Sequence, residues 1–522
     1  MTAPAAPRAA RAGLVPFDRY PGLPELFQKF LAGGSGFFPD RPTPEAAADR
    51  ARKLLGTPAR APASAFRSRG GKGAASAQDL AAGRAVAVMA GHQVGLFTGP
   101  LFTIVKAFDA IRIAREIRDR GVSAAPVFWA LTDDHDLEEV ARTAKPGREG
   151  VETFLLEGAD RANRSPVGRL PLPPRVTEVL DAFAADARAP GADEIVEAFR
   201  RRYVPGATYG DAFIETLLDL AGEELLVLDP YQDALRPPTA EFFRMAVERR
   251  AEIREALRAA AARVEAAKLP VPVPFRPDVF PFFTIARGER RRVEDPESAA
   301  PRVESGEEWP SSDVLTRPVL KSWLLPAAAS VLGPSELAYH AQALALFPVF
   351  GLEPPVLFPR SFIVPIGPPE RRAIDALGVA DDALLLPAAE SAPVDVPGAS
   401  ELARGAHEAE RSLAELEPSL AALDPTLVGA LENTRKKVAY QFEQLAEKMK
   451  KAAERKDEVA NQRRKRLDTM LLPQGGPAER LYPPLVPLLA YGPAALDAIR
   501  KAASGSLEGA VIADVGAEPD GR

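Results

Sequence analysis

No cysteine occurs in the 522 residues of the chain. That absence excludes disulfides, thiolate metal sites and a cysteine nucleophile together, so any thiol chemistry must be a substrate's, and a cytoplasmic setting is the simplest expectation. Histidine is scarce: His92, His135, His340 and His407 are the only four. No two of them have the i, i+4 spacing of a helical zinc pair, so no structural metal is expected. Neither sign of charge is in excess. The formal net charge of −6 is small for this length and gives no electrostatic reason to expect nucleic acid or a membrane surface as partner. Long apolar runs are also missing, with nothing approaching the ~18 residues of a membrane span. The first sixteen residues, with Arg8 and Arg11 among alanines, lack the apolar run of a secretory signal.

Core-forming material is plentiful. With 46% hydrophobic residues in a chain longer than one core usually organises, two or three domains are expected. The division read from composition is an N-terminal extension over 1–80, an α/β core with a helical insertion over 81–390, and a helical domain with a returning C-terminal segment over 391–522. The extension ends in SRGGKGAASA (68–77), which reads as a mobile loop.

The core opens with AVAVM (Ala85–Met89), a strand buried on both faces that breaks at Gly91. A helix follows from about Pro100, with Leu101, Ile104, Val105, Phe108 and Ile111 at helical spacing, until Gly121 stops it. PVFWAL (Pro126–Leu131) then completes a parallel βαβ unit. Helices are expected around 176–202, 211–222 and 238–268, and strands at 225–228 and 282–286. LPVPVPFRPDVFP cannot be a central strand, because each proline removes a ladder donor. Residues 287–313 read as a charged loop. Gly333-Pro334 opens a helix capped by Ser335 and running to about Phe347, and a strand follows at Pro355–Phe358.

A Pro/Ala linker spans 380–400, and helical composition dominates from Ser400 to about Met470, broken near Pro425. Leu431, Val438, Leu445, Ala452 and Val459 step by seven, with Phe442 and Met449 at the companion position. This seam suits a coiled coil or an intramolecular helix pair. Basic residues closing that helix at Arg463-Arg464-Lys465-Arg466 read as a solvated face.

Three clusters carry candidate chemistry. The first is GHQVGLFTGPLFTIVK, in which Gly91, His92, Gln93, Gly95, Thr98 and Gly99 lie between a strand end and a helix start, with Thr103 and Lys106 one or two turns along. Glycines admit a close ligand and a helix N-terminus attracts an anion, although no P-loop pattern is present. The second is Asp134, His135 and Asp136, beside Asp133. A histidine among carboxylates suits a general base that deprotonates an attacking amine, and carboxylates at i and i+2 equally suit Mg²⁺ held jointly with phosphates. The third is GPSELAYHAQ, where Gly333, Glu336, Tyr339 and Gln342 share neighbouring helix faces, with Arg317 upstream and Arg360 downstream as guanidinium groups for a carboxylate or phosphate.

Taken with LVLDP, RPVLKSWLLP, PPVLFPRS and LLPQGGPAERL, these blocks resemble the bacillithiol biosynthesis cysteine-adding enzymes (the BshC family) from about residue 85 to about 500. The resemblance implies a Rossmann-like core of the nucleotidyltransferase and class I synthetase type, a connecting subdomain, and a C-terminal coiled coil that pairs two subunits as a homodimer. It implies a cysteine ligase joining L-cysteine to glucosaminyl-malate through an amide bond, with ATP (or ADP as its product) as nucleotide. On that basis the phosphates are expected near Thr98 to Lys106, the amine near Asp134 and His135, and malate carboxylates at Arg317 or Arg360. The chain departs from the family pattern at His92 (Gln expected), Asp133 (Glu) and Lys321-Ser322 (Gln-Asp), which bears on substrate choice. A ligase or nucleotidyltransferase acting on another amino acid or amino sugar, and a non-catalytic coiled-coil scaffold, are the alternatives.

Overall fold

A computed structural model describes residues 13–33, 36–39, 42–156, 164–386, 396, 398–424 and 426–516. Chain contacts divide it into two units: one holds 1–371, 380–386 and 469–522, and the other 372–379 and 387–468.

In the first unit the strands β1 (Phe66–Ser68), β2 (Val86–Gln93), β3 (Ala124–Leu131), β4 (Leu226–Leu228), β5 (Phe282–Ala286), β6 (Glu289–Arg292), β7 (Trp309–Ser312), β8 (Ala327–Leu332) and β9 (Val356–Pro359) fall into two sheets. The central sheet has the order β9-β8-β2-β3-β4-β1 and is parallel except for β1. Its strands are apolar on both faces, and each face has its own core. Val86, Val88 and Ala90 enter one cluster, while Ala87 and Met89 enter the other, as the period of two requires. β3 is buried throughout, and its Pro126 lies one residue before β4 begins to pair. The helix α1 (Phe102–Arg118) covers the first face. Beyond the second face lies the small antiparallel sheet β7-β5-β6. Strand order reverses between β2 and β8: β2 leads to β3 on one side, and β8 leads to β9 on the other. That reversal is a topological switch point, where an open α/β sheet leaves a crevice beyond its strand ends.

Several local readings are corrected. SRGGKGAASA is not a loop, because Gly70–Ala81 is helical and buries Gly73, Ala77 and Leu80. β2 does not break at Gly91 but pairs with β3 as far as Gln93. Residues 287–313 contain β6, the helix Pro296–Glu304 and β7. The strand β8, hidden in the alanine-rich LLPAAASVL, has no period-two signal because both its faces are buried. Ser335 is not the cap of its helix, α3 (Pro334–Ala343), since the Gly333 N–H donates to the Glu336 side chain at 2.6 Å. The segment after residue 469 packs in the first unit and not with the helices before it. Its strand Gly509–Asp514 lies between Leu14–Pro16 and Ile363–Ile366.

The second unit holds the helices α4 (Ala399–Glu415) and Glu417–Leu423 and most of the long helix α5 (Leu427–Leu471). Gly398, just before α4, and Gly405 and Glu410 within it lie against Met449, Phe442 and Arg435 respectively, an antiparallel pairing in near-heptad steps within one chain. Leu431 of the seam is buried, whereas Leu445 and Val459 are each 48% exposed. Of the expected 380–400 linker, residues 387–395 and 397 lie outside the described residues. Among the described residues no helix is long and apolar enough to cross a membrane.

Candidate functional site at the strand-order reversal

The three sequence clusters converge only in part. Lys106, on α1, donates to the Gly91 carbonyl at 2.9 Å and forms an ion pair with Glu336 at the start of α3, so one lysine joins the ends of β2 and β8. Glu336 also caps Gly333, and its side chain keeps 25% exposure. Burial alone would raise the Glu336 pKa, but Lys106 and the Gly333 N–H outweigh that and hold it at about 2. Burial pushes the Lys106 ammonium down despite Glu336.

The glycine-rich turn is a structural anchor and not an open phosphate cradle. Phe97 and Thr98 both have positive φ (54° and 72°), a costly conformation for a bulky and a β-branched residue. It is held because Phe97 packs against Phe183, Phe199 and Tyr203, and because the Thr98 N–H donates to the Tyr203 hydroxyl at 2.9 Å. A Cβ at Gly95 would come within 2.8 Å of the Gly99 backbone, so the turn needs glycine for its own closure. Thr98 and Thr103 are fully buried, and their hydroxyls have no partner. The N–H of Leu101, at the start of α1, is taken by the Tyr482 carbonyl. ATP phosphates therefore do not fit at Thr98, Gly99, Thr103 and Lys106, which are closed off or already engaged.

Two further expectations are corrected. Arg360 is 2% exposed and ion-paired at 2.7 Å with the wholly buried Glu479, which also accepts from Tyr20 at 2.5 Å. It fastens the N- and C-terminal segments and cannot meet a substrate carboxylate. Gln342 clamps the proline-rich loop by bonding both the N–H (3.0 Å) and the carbonyl (2.8 Å) of Val273. Tyr339 stacks on His340, at 5.1 Å between ring centres.

The acidic loop after β3 does face the strand ends. Arg290 of β6, buried against the Phe283 ring, reaches Asp134 at 3.3 Å and the His135 Nδ1 at 3.0 Å, and also holds Ser311 and the Ser312 carbonyl. The same Nδ1 lies 3.4 Å from the Asp134 Oδ1, so the ring nitrogen stands between a guanidinium donor and a carboxylate acceptor. Burial would raise the Asp134 pKa, but the His135 hydrogen bond and the Arg317 and Arg290 charges hold it well below the carboxylate range. Asp136 caps the short helix Leu137–Val140 through the Glu139 N–H at 3.1 Å. With Asp134 held by Arg290 and Asp136 acting as a cap, the pair does not form a ready Mg²⁺ seat, and among the described residues no group of three or more His, Asp or Glu could hold a metal. Asp133 accepts from Ser311 at 2.5 Å, and its other oxygen is buried without a partner.

Sequence reasoning missed Glu139, which accepts from Gln93 at 2.8 Å. Desolvation, then the Asp136 and Asp134 charges, raise its pKa to about 6. The four carboxylates within six residues, Asp134, Asp136, Glu138 and Glu139, were the available signal. His92 packs edge-on against Phe102 and is held neutral by burial and Lys106, with its pKa lowered to about 4. On the helix α2 (Arg317–Leu324), Arg317 and Lys321 are half-buried and face this loop and Gly91. The strand ends thus gather an imidazole (His135), a carboxylate raised to about 6 (Glu139) and two cations, an arrangement suited to proton transfer beside an anionic small molecule.

A parallel sheet with a strand-order reversal and polar groups gathered at its carboxyl edge is a Rossmann-like arrangement. The model for "Bacillithiol biosynthesis BshC, N-terminal Rossmann-like domain" matches residues 45–361, and that for the "C-terminal coiled-coil domain" of the same family matches 397–508. The chain belongs to the BshC family. It is 31% identical to "Putative cysteine ligase BshC" of Thermus thermophilus over 82% of this chain and 88% of the relative. It is 30% identical to the protein of that name from Salinibacter ruber over 80% of each. With the Koribacter versatilis protein of that name it shares 31% identity over 52% of this chain, spanning 54% of the relative.

Proposed function

We propose that this protein is a ligase that joins the carboxyl group of L-cysteine to the amine of glucosaminyl-malate, in the cytoplasm and on the path to bacillithiol. The observation that carries this reading is the cluster at the strand-order reversal, where Glu139, His135 and the cations of α2 gather around the Asp134 loop in a chain of the BshC family. Amide formation from a free carboxylate is uphill, so the cysteine carboxyl needs activation, and ATP is the proposed source. No phosphate contact is assigned to Thr98, Thr103 or Lys106. Glu139 takes a proton from the attacking amine, which requires it deprotonated and therefore a pH above about 6. The His135 N–H donates to the carbonyl oxygen as negative charge builds on it. Arg317 binds a malate carboxylate, the role Arg360 cannot fill.

A homodimer formed through the helical unit belongs to the same proposal, supported by the exposed Leu445, Val459 and Tyr440 on α5. Purified protein given L-cysteine, ATP and glucosaminyl-malate should yield the cysteinyl amide by mass spectrometry. Pyrophosphate as co-product would indicate an adenylate and ADP an acyl phosphate. Absence of the amide, with cysteine recovered unchanged, would sink the reading.

A further inference from the structure

Among the described residues, two cations on one face of α2 make no direct ion pair, although Asp134 lies near Arg317 and Glu336 and Asp133 near Lys321. Arg317 and Lys321 are one turn apart, a spacing at which like charges repel. The Arg317 Nε is buried without a partner, and its guanidinium reaches only the Ser312 carbonyl, at 3.5 Å. Among the described residues Lys321 has neither an ion-pair partner nor a hydrogen-bond acceptor. Its Nζ lies 5.6 Å from the Trp129 ring centre and 3.2 Å from the point a Cβ on Gly91 would occupy. Glycine at 91 therefore makes room for the lysine head as well as for the close approach of the Trp129 backbone, 2.8 Å from the same point.

We infer that Lys321 and Arg317 together form an oxyanion subsite at the strand-order reversal, taking a carboxylate or phosphate group of a substrate. This rests on reading the strand-end cluster as the substrate site. An incoming oxyanion supplies both side chains with the direct contact they lack, and the planar guanidinium with a movable ammonium suits two oxygens of one group. The groups facing Lys321 are Glu336 and His340 of α3, Lys106 of α1, Asp133 of the loop after β3 and Arg317 of its own helix. His340 is neutral, its pKa lowered to about 4, and Glu336 is already shared with Lys106. Burial, opposed by Glu336 and reinforced by Arg317 and Lys106, lowers the Lys321 pKa to about 7. Anion binding is therefore coupled to proton uptake: the oxyanion favours the ammonium, and affinity falls as pH rises through about 7.

The test is calorimetric titration of the full chain with L-malate and, separately, with inorganic pyrophosphate, at about pH 6.5 and about pH 8.5. Wild type should bind at least one of them, about tenfold or more weakly at the higher pH. Lys321→Gln should bind weakly at both values. Lys321→Arg should restore binding without the added pH dependence, and its profile gives the anion's own ionisation. Binding of malate alone assigns the subsite to the acceptor's carboxylate, and binding of pyrophosphate alone to a nucleotide phosphate. If neither anion binds wild type, or if Lys321→Gln matches wild type in affinity and pH profile, the subsite is wrong. Anion binding without amide synthesis would overturn the cysteine-ligase reading alone, whereas amide synthesis with an unchanged KM in Lys321→Gln would overturn the subsite alone.

Discussion

Two buried ion pairs join distant parts of the first unit, and they differ in what lies beside them. Arg360–Glu479 is sealed, with 2% and 0% side-chain exposure, and its remaining partners, Tyr20 and the Ser361 carbonyl, are protein groups. Lys106–Glu336 is sealed on the lysine side only, since Glu336 keeps a quarter of its surface and looks toward Lys321. The first pair fixes segments in place, and the second borders the strand-end cluster. A cation in a family-like motif is thus no guide to ligand contact until the exposure of its partner is known.

If the open side carries the chemistry, the largest effect belongs to Glu139→Gln, which should lower the rate of amide formation by about 10²- to 10⁴-fold. It should also remove the limb of the kcat/KM profile that rises through about pH 6 in wild type, with little change in unfolding. On the sealed side, Arg360→Met leaves the Glu479 carboxylate uncompensated and should cost ~3–5 kcal/mol in urea unfolding. An unfolding midpoint equal to that of wild type would remove the distinction between the two pairs.

Glu336→Gln is the intermediate case, expected to cost ~1–3 kcal/mol at neutral pH through the Gly333 cap and the Lys106 pair. The Glu336 pKa is lower in the folded chain, about 2 against ~4.3 unfolded, so its share of stability is full above the unfolded value and is lost as pH falls toward the folded one. The acid limb of a stability–pH curve should therefore be shallower in the variant. The smallest effect is that of Thr98→Gly, in which relief of the positive φ roughly offsets the lost methyl packing, leaving stability within about 1 kcal/mol and the amide-forming rate unchanged. A large loss of rate there would return the turn to the site.

What the sequence could announce follows from local physics. AVAVM and PVFWAL carry enough buried apolar surface to be strands in any packing, and Gly121 ends α1 with φ of 81°. The acidic loop was legible as a site because four ionisable groups in a row need an explanation. β8 was not, since alanines buried on both faces show no alternation, and without β8 the strand-order reversal and the Lys106–Glu336 bridge could not be drawn. GGKGAASA reads as coil by composition, yet the small side chains at Gly73 and Ala77 let its helix lie against the chain around Ser68 and Glu223. Arg290 arrived from a segment read as loop, and with it the contacts that hold Asp134 and His135. Roles assigned to Thr98, Arg360 and Gln342 failed because side-chain direction and tertiary partner, unlike spacing, are set by contacts far away in the chain.

The three-stranded sheet in which Leu14 faces Val511 also sets an order of events during synthesis. Its first strand must wait, unpaired, until a partner about 500 residues further along leaves the ribosome, so this sheet can close only after translation has passed its last strand. Until then the apolar edge of Ile363–Ile366 is bare, and the nascent chain has most need of a chaperone during that interval.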